Sequence, residues 1–512
     1  MLRITEMKLN VPYWISTTRP PNYRPLSEKL SVDVVIVGAG ITGLTTAIRL
    51  REAGLSVAII DQFKLAAGES GHTTAHLTEM VDTRYTAIEA KYGSEGAQLV
   101  AQSSRAAMTW IEERSLRIIC DYLHVPGYLY TQNSHQRHEL EKELRHAQKA
   151  GVDAKWVDRV PLPFKTEGGI MIPAQAQFHP RKYLLGLASQ LETEGCQIFQ
   201  NTRALNLKEG EPCRLITDRG VIEAGKVVFA THTPSVNRMR LHTQLAAYRT
   251  YAMAVRLKAA VPDLGLFWDT AEPYHYTRSQ NGLWIIGGED HKTGNESNTE
   301  NAFRRLENYV REHYVIDSVD YRWSGQILEP VDGLPLIGRN PDSKHVFVAA
   351  GFSGNGMTFG TVSGLLISDL ILGIENPWAA LYDPLRVKPI ASLKEFVLEN
   401  VDYPRTLIKD RIEKTAELDA LDDLHVGEGQ LVKKGNQTLA VFRDEQSNLH
   451  GVSATCTHLG CHVQFNNAEQ SWDCPCHGSR FSVNGDILNG PAMKRLQRFE
   501  LIEQKKMKKK AA

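Results

Sequence analysis

The stretch that most limits what this chain can fold into is VDVVIVGAGITGLTTAIRLREAGLSVAIID, residues 32–61. It joins an apolar run, a glycine-rich turn, an amphipathic stretch and a second apolar run, which are the parts of a βαβ unit. Each glycine has its own task in such a unit. Gly38 turns the chain sharply off the first strand, Gly40 lets backbone approach a pyrophosphate, and Gly43 lets the helix pack tightly on the strand. Phosphate then sits on the helix N-terminus, held by free N–H groups and the macrodipole. Asp61 closes the second strand, placed to accept hydrogen bonds from a ribose hydroxyl. A strand before, a helix after and an acid at the end point to a dinucleotide, without choosing between FAD and NAD.

Four later segments bear on that choice: AAGESGHTTAHLT (66–78), KVVFATHTP (226–234), DGLPLIG (332–338) and VFVAAGFSGNGMTFG (346–360). In the last, Gly351, Gly354 and Gly356 permit close backbone approach, and the run from Met357 reads as a helix whose N-terminus favours negative charge. Together with the fingerprint, these segments resemble the D-amino-acid-oxidase-like flavoprotein family over approximately residues 31–378. The resemblance implies FAD. It lays Ser70, Gly71, His72, Thr73 and Thr74 along the pyrophosphate toward the ring, ends the strand bearing Ala230 and Thr231 against the FAD, and brings the last glycine turn with Met357 to the flavin's pyrimidine edge. His72 stays open between a flavin contact, a covalent attachment point and a structural histidine. The implied fold is an α/β Rossmann-type FAD-binding domain with an inserted, largely antiparallel α+β substrate domain at roughly 80–330, preceded by an N-terminal extension at 1–30.

There is no second GxGxxG fingerprint, so reducing equivalents are expected from an organic substrate. In the family, substrate lies over one flavin face beneath a sheet of the second domain. Two runs of strand-like alternation, LAAYRTYAMAV (245–255) and PYHYTRSQNGLWIIGGED (273–290), supply the candidates Tyr251, Tyr276 and Arg278. An arginine fork suits a substrate carboxylate and a phenol can orient it; each residue can equally be an ordinary strand residue with its polar end in water.

Prolines at 377, 384, 389 and 404 mark a connector over 379–420, and from Asp422 short alternating runs read as a small antiparallel β domain. That domain holds CTHLGCHVQFNNAEQSWDCPCHGS (456–479), with four of the chain's seven cysteines. A zinc site would most simply pair its cysteines as C-x2-C twice, and that spacing does not occur. What occurs is Cys456-x-His458, fifteen residues, then Cys474-x2-His477. Two thiolates and two imidazoles suit a 2Fe-2S centre in which histidines replace two cysteines on one iron. CTHLGC and CPCHGS resemble both cluster-binding loops of Rieske proteins, over residues 421–504. The resemblance implies a small all-β domain in which Cys456 and Cys474 ligate one iron and His458 and His477 the other. It also implies a disulfide between Cys461 and Cys476, a Ser479 hydroxyl on a bridging sulfide and a covering loop at Gly490–Ala492, with His462 outside the pattern. Phe481 departs from the family: high-potential members carry a tyrosine there, whose hydroxyl bonds a ligand sulfur, so a lower potential is expected.

The 42% hydrophobic and 23% charged residues fit a soluble protein of two or three domains. Fifty-nine basic residues balance fifty-nine acidic ones, which leaves no field to draw nucleic acid. Five lysines at Lys505–Lys510 are the exception, a tail that could touch anionic lipid weakly or simply fray. No apolar run reaches the ~18 residues that span a bilayer, and the N-terminus lacks a signal peptide's apolar core, so a cytoplasmic location is expected. The scattered Cys120, Cys196 and Cys213 fit a reducing compartment. The expected function is an FAD-dependent dehydrogenase that oxidises a small amine or amino acid and passes electrons through the 2Fe-2S cluster to an external acceptor, protein or quinone. Its rivals are a flavin and iron-sulfur relay or redox sensor without a substrate of its own, and an oxidase that releases peroxide. An oxygenase would need a separate 2-His-1-carboxylate iron site, for which the sequence offers no candidate.

Overall fold

The apolar runs of the fingerprint become the middle of a sheet. In the computed structural model, which describes residues 7–234, 241–258, 264–386 and 416–501, Leu30–Val37 is a strand whose last four residues are buried. Val57–Ile60 and Val221–Phe229 flank it in parallel. Val346–Ala350 and Gln197–Phe199 extend the sheet in parallel, and Leu336–Arg339 adds an antiparallel strand. Strands covered on both faces need near-continuous Val and Ile, which is what these runs hold. The helix Ile41–Glu52 packs on the helix Gly356–Leu372 through missing side chains. A β-carbon at Gly360 would come within 2.5 Å of Ile41 Cγ2, and one at Gly364 within 2.5 Å of Thr45 Cβ. Two glycines thus let the helices approach where alanines would hold them apart.

A second, ten-stranded sheet runs through Lys8–Leu9, Ile316–Pro330, Leu245–Leu257, Leu283–Lys292, His275–Gln280, Leu266–Asp269, Leu123–Tyr130, Gly169–Gln177 and His76–Leu77, with Lys155–Val157 beside Gly169–Gln177. Most of its pairs are antiparallel, while Lys8–Leu9 with Ile316–Pro330 and Leu266–Asp269 with Leu123–Tyr130 run parallel. The N-terminal extension is therefore part of this sheet. Its Trp14 indole donates to Thr73 O at 2.6 Å.

The chain divides into two compact units. The first takes the described residues up to 245 with 249–290 and 303–386; the second takes 246–248, 291–302 and 416–501. In the second, Gly429–Lys434, Gln437–Arg443, Leu449–Ser453 and Arg498–Phe499 form one antiparallel ladder, with Ala416–Glu417 parallel at its edge. Gln464–Asn466, Ser471–Asp473, Arg480–Ser482 and Ile487–Asn489 form another. The lysine tail and most of the proline-marked connector lie outside the described residues. Among the described residues, no helix is long and apolar enough to cross a membrane.

Candidate functional site

The fingerprint turn is built by close backbone contact. Gly38 takes a left-handed φ of +113° and donates its N–H to Ile60 O at 2.8 Å. A β-carbon there would overlap the Ala230 carbonyl, and one at Gly43 would overlap the carbonyl of Gly38. The following helix starts at Gly40 with no side-chain cap and no acid in its first turn. Ser70 Oγ accepts the Ile41 N–H at 3.2 Å. Asp61 accepts the N–H groups of Ala39 and Phe63, each at 2.8 Å, and burial pushes its carboxyl up to about 6. Around it, Gly71 N–H donates to Gly68 O, His72 Nδ1 lies 3.0 Å from the same carbonyl, and Thr73 Oγ1 accepts from Ala75 N–H. Thr74 Oγ1 faces His76 Nδ1 at 3.3 Å, and the Thr231 hydroxyl donates to Thr233 O.

The second glycine turn opens the helix Gly356–Leu372. Gly351 is left-handed at φ +78°, Met357 is buried, and a β-carbon at Gly356 would meet nothing within 4 Å. This helix is also uncapped, because Asn355 turns its side chain away to accept the Asp82 N–H at 2.9 Å. Asp82 in turn accepts the Gly354 N–H at 2.6 Å.

Beside this turn stands a polar face of the second sheet. The Tyr276 and Thr250 hydroxyls are 2.8 Å apart, and the phenol lies where a β-carbon of Gly287 would be. Both oxygens of Asp290 are buried without a hydrogen-bond partner. Burial and the nearby Asp82 and Glu289 push this carboxyl up to about 7, against the pull of Thr250 and His275. Tyr274 belongs to the same group: its hydroxyl would lie 3.1 Å from a β-carbon on Gly354, and burial with Asp82, Asp290 and Glu329 raises it well above the phenol range. His76 packs edge-on to Tyr276, and burial, then Arg278, depresses it to about 3, so its imidazole is neutral. Strict alternation from Gly287 would turn Asp290 to the other face. The left-handed pair Gly288 and Glu289, φ +146° and +60°, reverses this and sends Glu289 to His275 instead, 3.4 Å away.

Of the three substrate candidates, only Tyr276 stands in this group. Tyr251 is fully buried and packs edge-on against Phe303 at 4.7 Å. Arg278 is fully buried too; it donates to Ala75 O at 2.7 Å, to Phe178 O and to Gln280 Oε1, and lies over the Trp14 ring. Thr250, Tyr274, Asp82 and Asp290 were missed by sequence reasoning, although the Gly-Gly step before Glu289 and Asp290 signals an irregular strand end.

In the second unit two loops share one backbone design. In each, a cysteine carbonyl accepts from a left-handed glycine four residues on, Gly460 to Cys456 and Gly478 to Cys474, both at 3.0 Å. The cysteine N–H donates to the residue five on, Cys461 O or Ser479 O, both at 2.8 Å. The amides of His458 and Leu459 bond Cys456 Sγ, and those of Cys476 and His477 bond Cys474 Sγ. The two thiols bond each other, which lowers Cys456 and raises Cys474. The rings of His458 and His477 meet edge to face at 4.9 Å, and burial depresses His477 to about 4. Cys461 and Cys476 form a disulfide that ties the loops together. Ser479, fully buried, reaches Cys456 with its hydroxyl and accepts the Ala492 N–H at 3.1 Å, so the Gly490–Ala492 loop closes over it. His462 pairs with Thr455 in an isolated antiparallel bridge.

Residues 33–370 match the family of FAD dependent oxidoreductases (DAO), and residues 415–500 match the Rieske [2Fe-2S] domain. YhfW of Bacillus subtilis (strain 168), named for a Rieske 2Fe-2S iron-sulfur protein, is 32% identical over 96% of this chain and 97% of its own. Gamma-glutamylputrescine oxidoreductase of Escherichia coli (strain K12) is 24% identical over 70% of this chain and 88% of its own. The solved glycine oxidase from Geobacillus kaustophilus shares the fold, with a TM-score of 0.60 at 20% identity, over 70% of this chain and 99% of that one. The chain belongs to the FAD-dependent oxidoreductase family and carries a Rieske [2Fe-2S] domain behind its flavoprotein part.

Proposed function

We propose that this chain is a dehydrogenase that oxidises a small amine or amino acid and delivers the electrons through its Rieske cluster to an external acceptor, protein or quinone. When bound, FAD supplies hydride acceptance and the 2Fe-2S cluster supplies single-electron carriage. The residues present fit both groups. Gly38, Gly40 and Gly43 put no side chain between a pyrophosphate and the helix start, where only the Ser70 hydroxyl touches the Ile41 N–H, and Asp61 keeps lone pairs for a ribose hydroxyl beyond its two amide bonds. Open space at Gly356 and the uncapped helix behind it suit the pyrimidine edge of the flavin. Ser70, Gly71, His72, Thr73, Thr74, Ala230 and Thr231 would line the approach. Two thiols and two imidazoles from two matched loops suit the cluster, Cys456 and Cys474 on one iron, His458 and His477 on the other, and the amides aimed at both sulfurs would stabilise the added negative charge of reduction.

One observation carries the reading of an enzyme over a bare relay: the polar group of Tyr276, Thr250 and Asp290 beside the glycine turn that suits the flavin. A relay needs no such group. Within it, Tyr276 would orient the substrate nitrogen with Thr250, and neutral His76 would add bulk without charge. Tyr251 and Arg278 would hold the sheet in place. The related names, gamma-glutamylputrescine oxidoreductase and glycine oxidase, support an amine or amino acid as substrate. The test is anaerobic bleaching of the flavin across a panel of amines and amino acids, followed by the EPR signal of the reduced cluster. If no member of the panel bleaches a protein that holds both cofactors, the dehydrogenase reading is wrong. Peroxide release in air with a silent cluster would make it a plain oxidase.

A further inference from the structure

A buried carboxylate without a partner is costly, and this fold otherwise avoids the cost. Asp332 takes a two-pronged pair from Arg386, at 2.6 and 2.9 Å. Asp473 takes Arg480 at 2.9 Å, Glu143 takes the N–H groups of Tyr85 and Thr86, and Asp269 takes the His275 ring and N–H. Among the described residues, Asp290 is the one carboxylate with both oxygens buried and neither hydrogen-bonded. The nearby Thr250 hydroxyl pulls this carboxyl down, but it lies 2.8 Å from the Tyr276 hydroxyl and makes no hydrogen bond of good geometry to Asp290. His275 is committed between Asp269 and Glu289, at 3.1 and 3.4 Å, while the Arg84 guanidinium lies among Glu143, Asp82 and Tyr274, whose charges do not offset its burial. Arg278, the residue whose fork would suit a carboxylate, spends its donors on backbone carbonyls and Gln280. Asp82 and Glu329 add further negative charge around Tyr274.

We propose that this face binds the substrate nitrogen as an ammonium group, with Asp290 as the counter-ion. The inference rests on the dehydrogenase reading and names the group that recognises its substrate. An incoming ammonium provides the donors that Asp290 lacks, and Tyr276 and Thr250 offer oxygens to its remaining protons.

The test uses two unreactive ions of one shape and opposite charge, tert-butylammonium and pivalate; the amine has no hydrogen on its α-carbon and cannot be oxidised. Each is titrated into the full-length holoprotein and binding is read from the flavin difference spectrum. The ammonium is expected to bind about ten-fold or more tighter than pivalate, and Asp290→Asn to weaken it about ten-fold or more while FAD content is kept and Tm does not fall. Pivalate binding as well as the ammonium, or Asp290→Asn leaving ammonium binding unchanged, overturns the proposal; the comparison in the unaltered protein decides alone if the variant does not fold. Ammonium binding with no amine able to bleach the flavin would sink the dehydrogenase reading and leave this one. Bleaching by glycine or sarcosine, equal in Asp290→Asn, would do the reverse.

Discussion

Restoring a hydroxyl at Phe481 should raise the potential of the cluster. Phe481 is fully buried and pairs with Trp472 across the ladder of the second unit. Phe481, Trp472, Cys456 and Cys474 share one buried apolar cluster. In Phe481→Tyr the new O–H can therefore turn toward a ligand sulfur. Reduction adds negative charge, so a hydrogen bond to that sulfur is stronger in the reduced state. If the strengthening is about 1–1.5 kcal/mol, within the range for a net hydrogen bond, a one-electron couple rises by about 45–65 mV, at about 59 mV per ten-fold change. The assay is an EPR-monitored redox titration of both proteins at one pH, with Tm measured beside it. A hydroxyl without a partner would cost roughly 1–3 kcal/mol of stability and leave the potential where it was. An unchanged or lowered potential with Tm maintained would refute the reasoning, since the hydroxyl would then be satisfied by something other than sulfur. For the unaltered protein, the expected value lies below the top of the family range of about −150 to +300 mV, and a measured value near that top would refute it too.

Gly43→Ala sets a β-carbon into the Gly38 carbonyl, backbone against helix, and should cost roughly 1–3 kcal/mol in denaturant melts together with FAD retention. Gly356→Ala meets open space, so the apoprotein should melt within about 0.5 kcal/mol of the parent while FAD is lost more readily on gel filtration. Cys461→Ser opens a loop of sequence separation 15 and should cost about 3 kcal/mol, read as the shift in urea midpoint against the same protein treated with reductant, which should match it. Asp290 holds its proton more tightly folded than unfolded, so it adds stability at low pH that is lost as pH rises from about 4 to about 7; Asp290→Asn should flatten that part of the Tm profile. With an amine substrate, kcat/KM should rise through about pH 7 as this carboxyl ionises, and Asp290→Asn should remove the rise.

The parts of the site that lie in short consecutive stretches were legible in the sequence, because their physics is local. A β-carbon at Gly38 or Gly43 collides with backbone a few residues or one strand away, and that is why only glycine serves there. The matched loops from Cys456 and Cys474 each close on their own glycine and carry their own donors, so spacing alone exposes them. Asp61 was legible as the acid at the strand end, but its bonds to the amides of Ala39 and Phe63 give it a second task, bracing the turn, that the fingerprint does not advertise.

The proposed substrate face was only partly legible because it is set by strand phase and cover, which are not local. Tyr251 and Thr250 are adjacent, and adjacent strand residues point to opposite faces; aromatic character favoured Tyr251, while phase gives Thr250 to Tyr276 and Tyr251 to Phe303. Tyr276 and Arg278 share a face, yet two residues along the strand change the cover from the glycine turn to Ala75, Phe178 and Trp14, and that cover takes up the arginine's donors. Asp290 is harder still. Alternation counted from Tyr276 and its partner Gly287 assigns it to the wrong face, and only the left-handed Gly288 and Glu289 restore it. Such a kink is a cost in a strand, and under the proposed ammonium site it is the cost of turning Asp290 toward Tyr276 and Thr250.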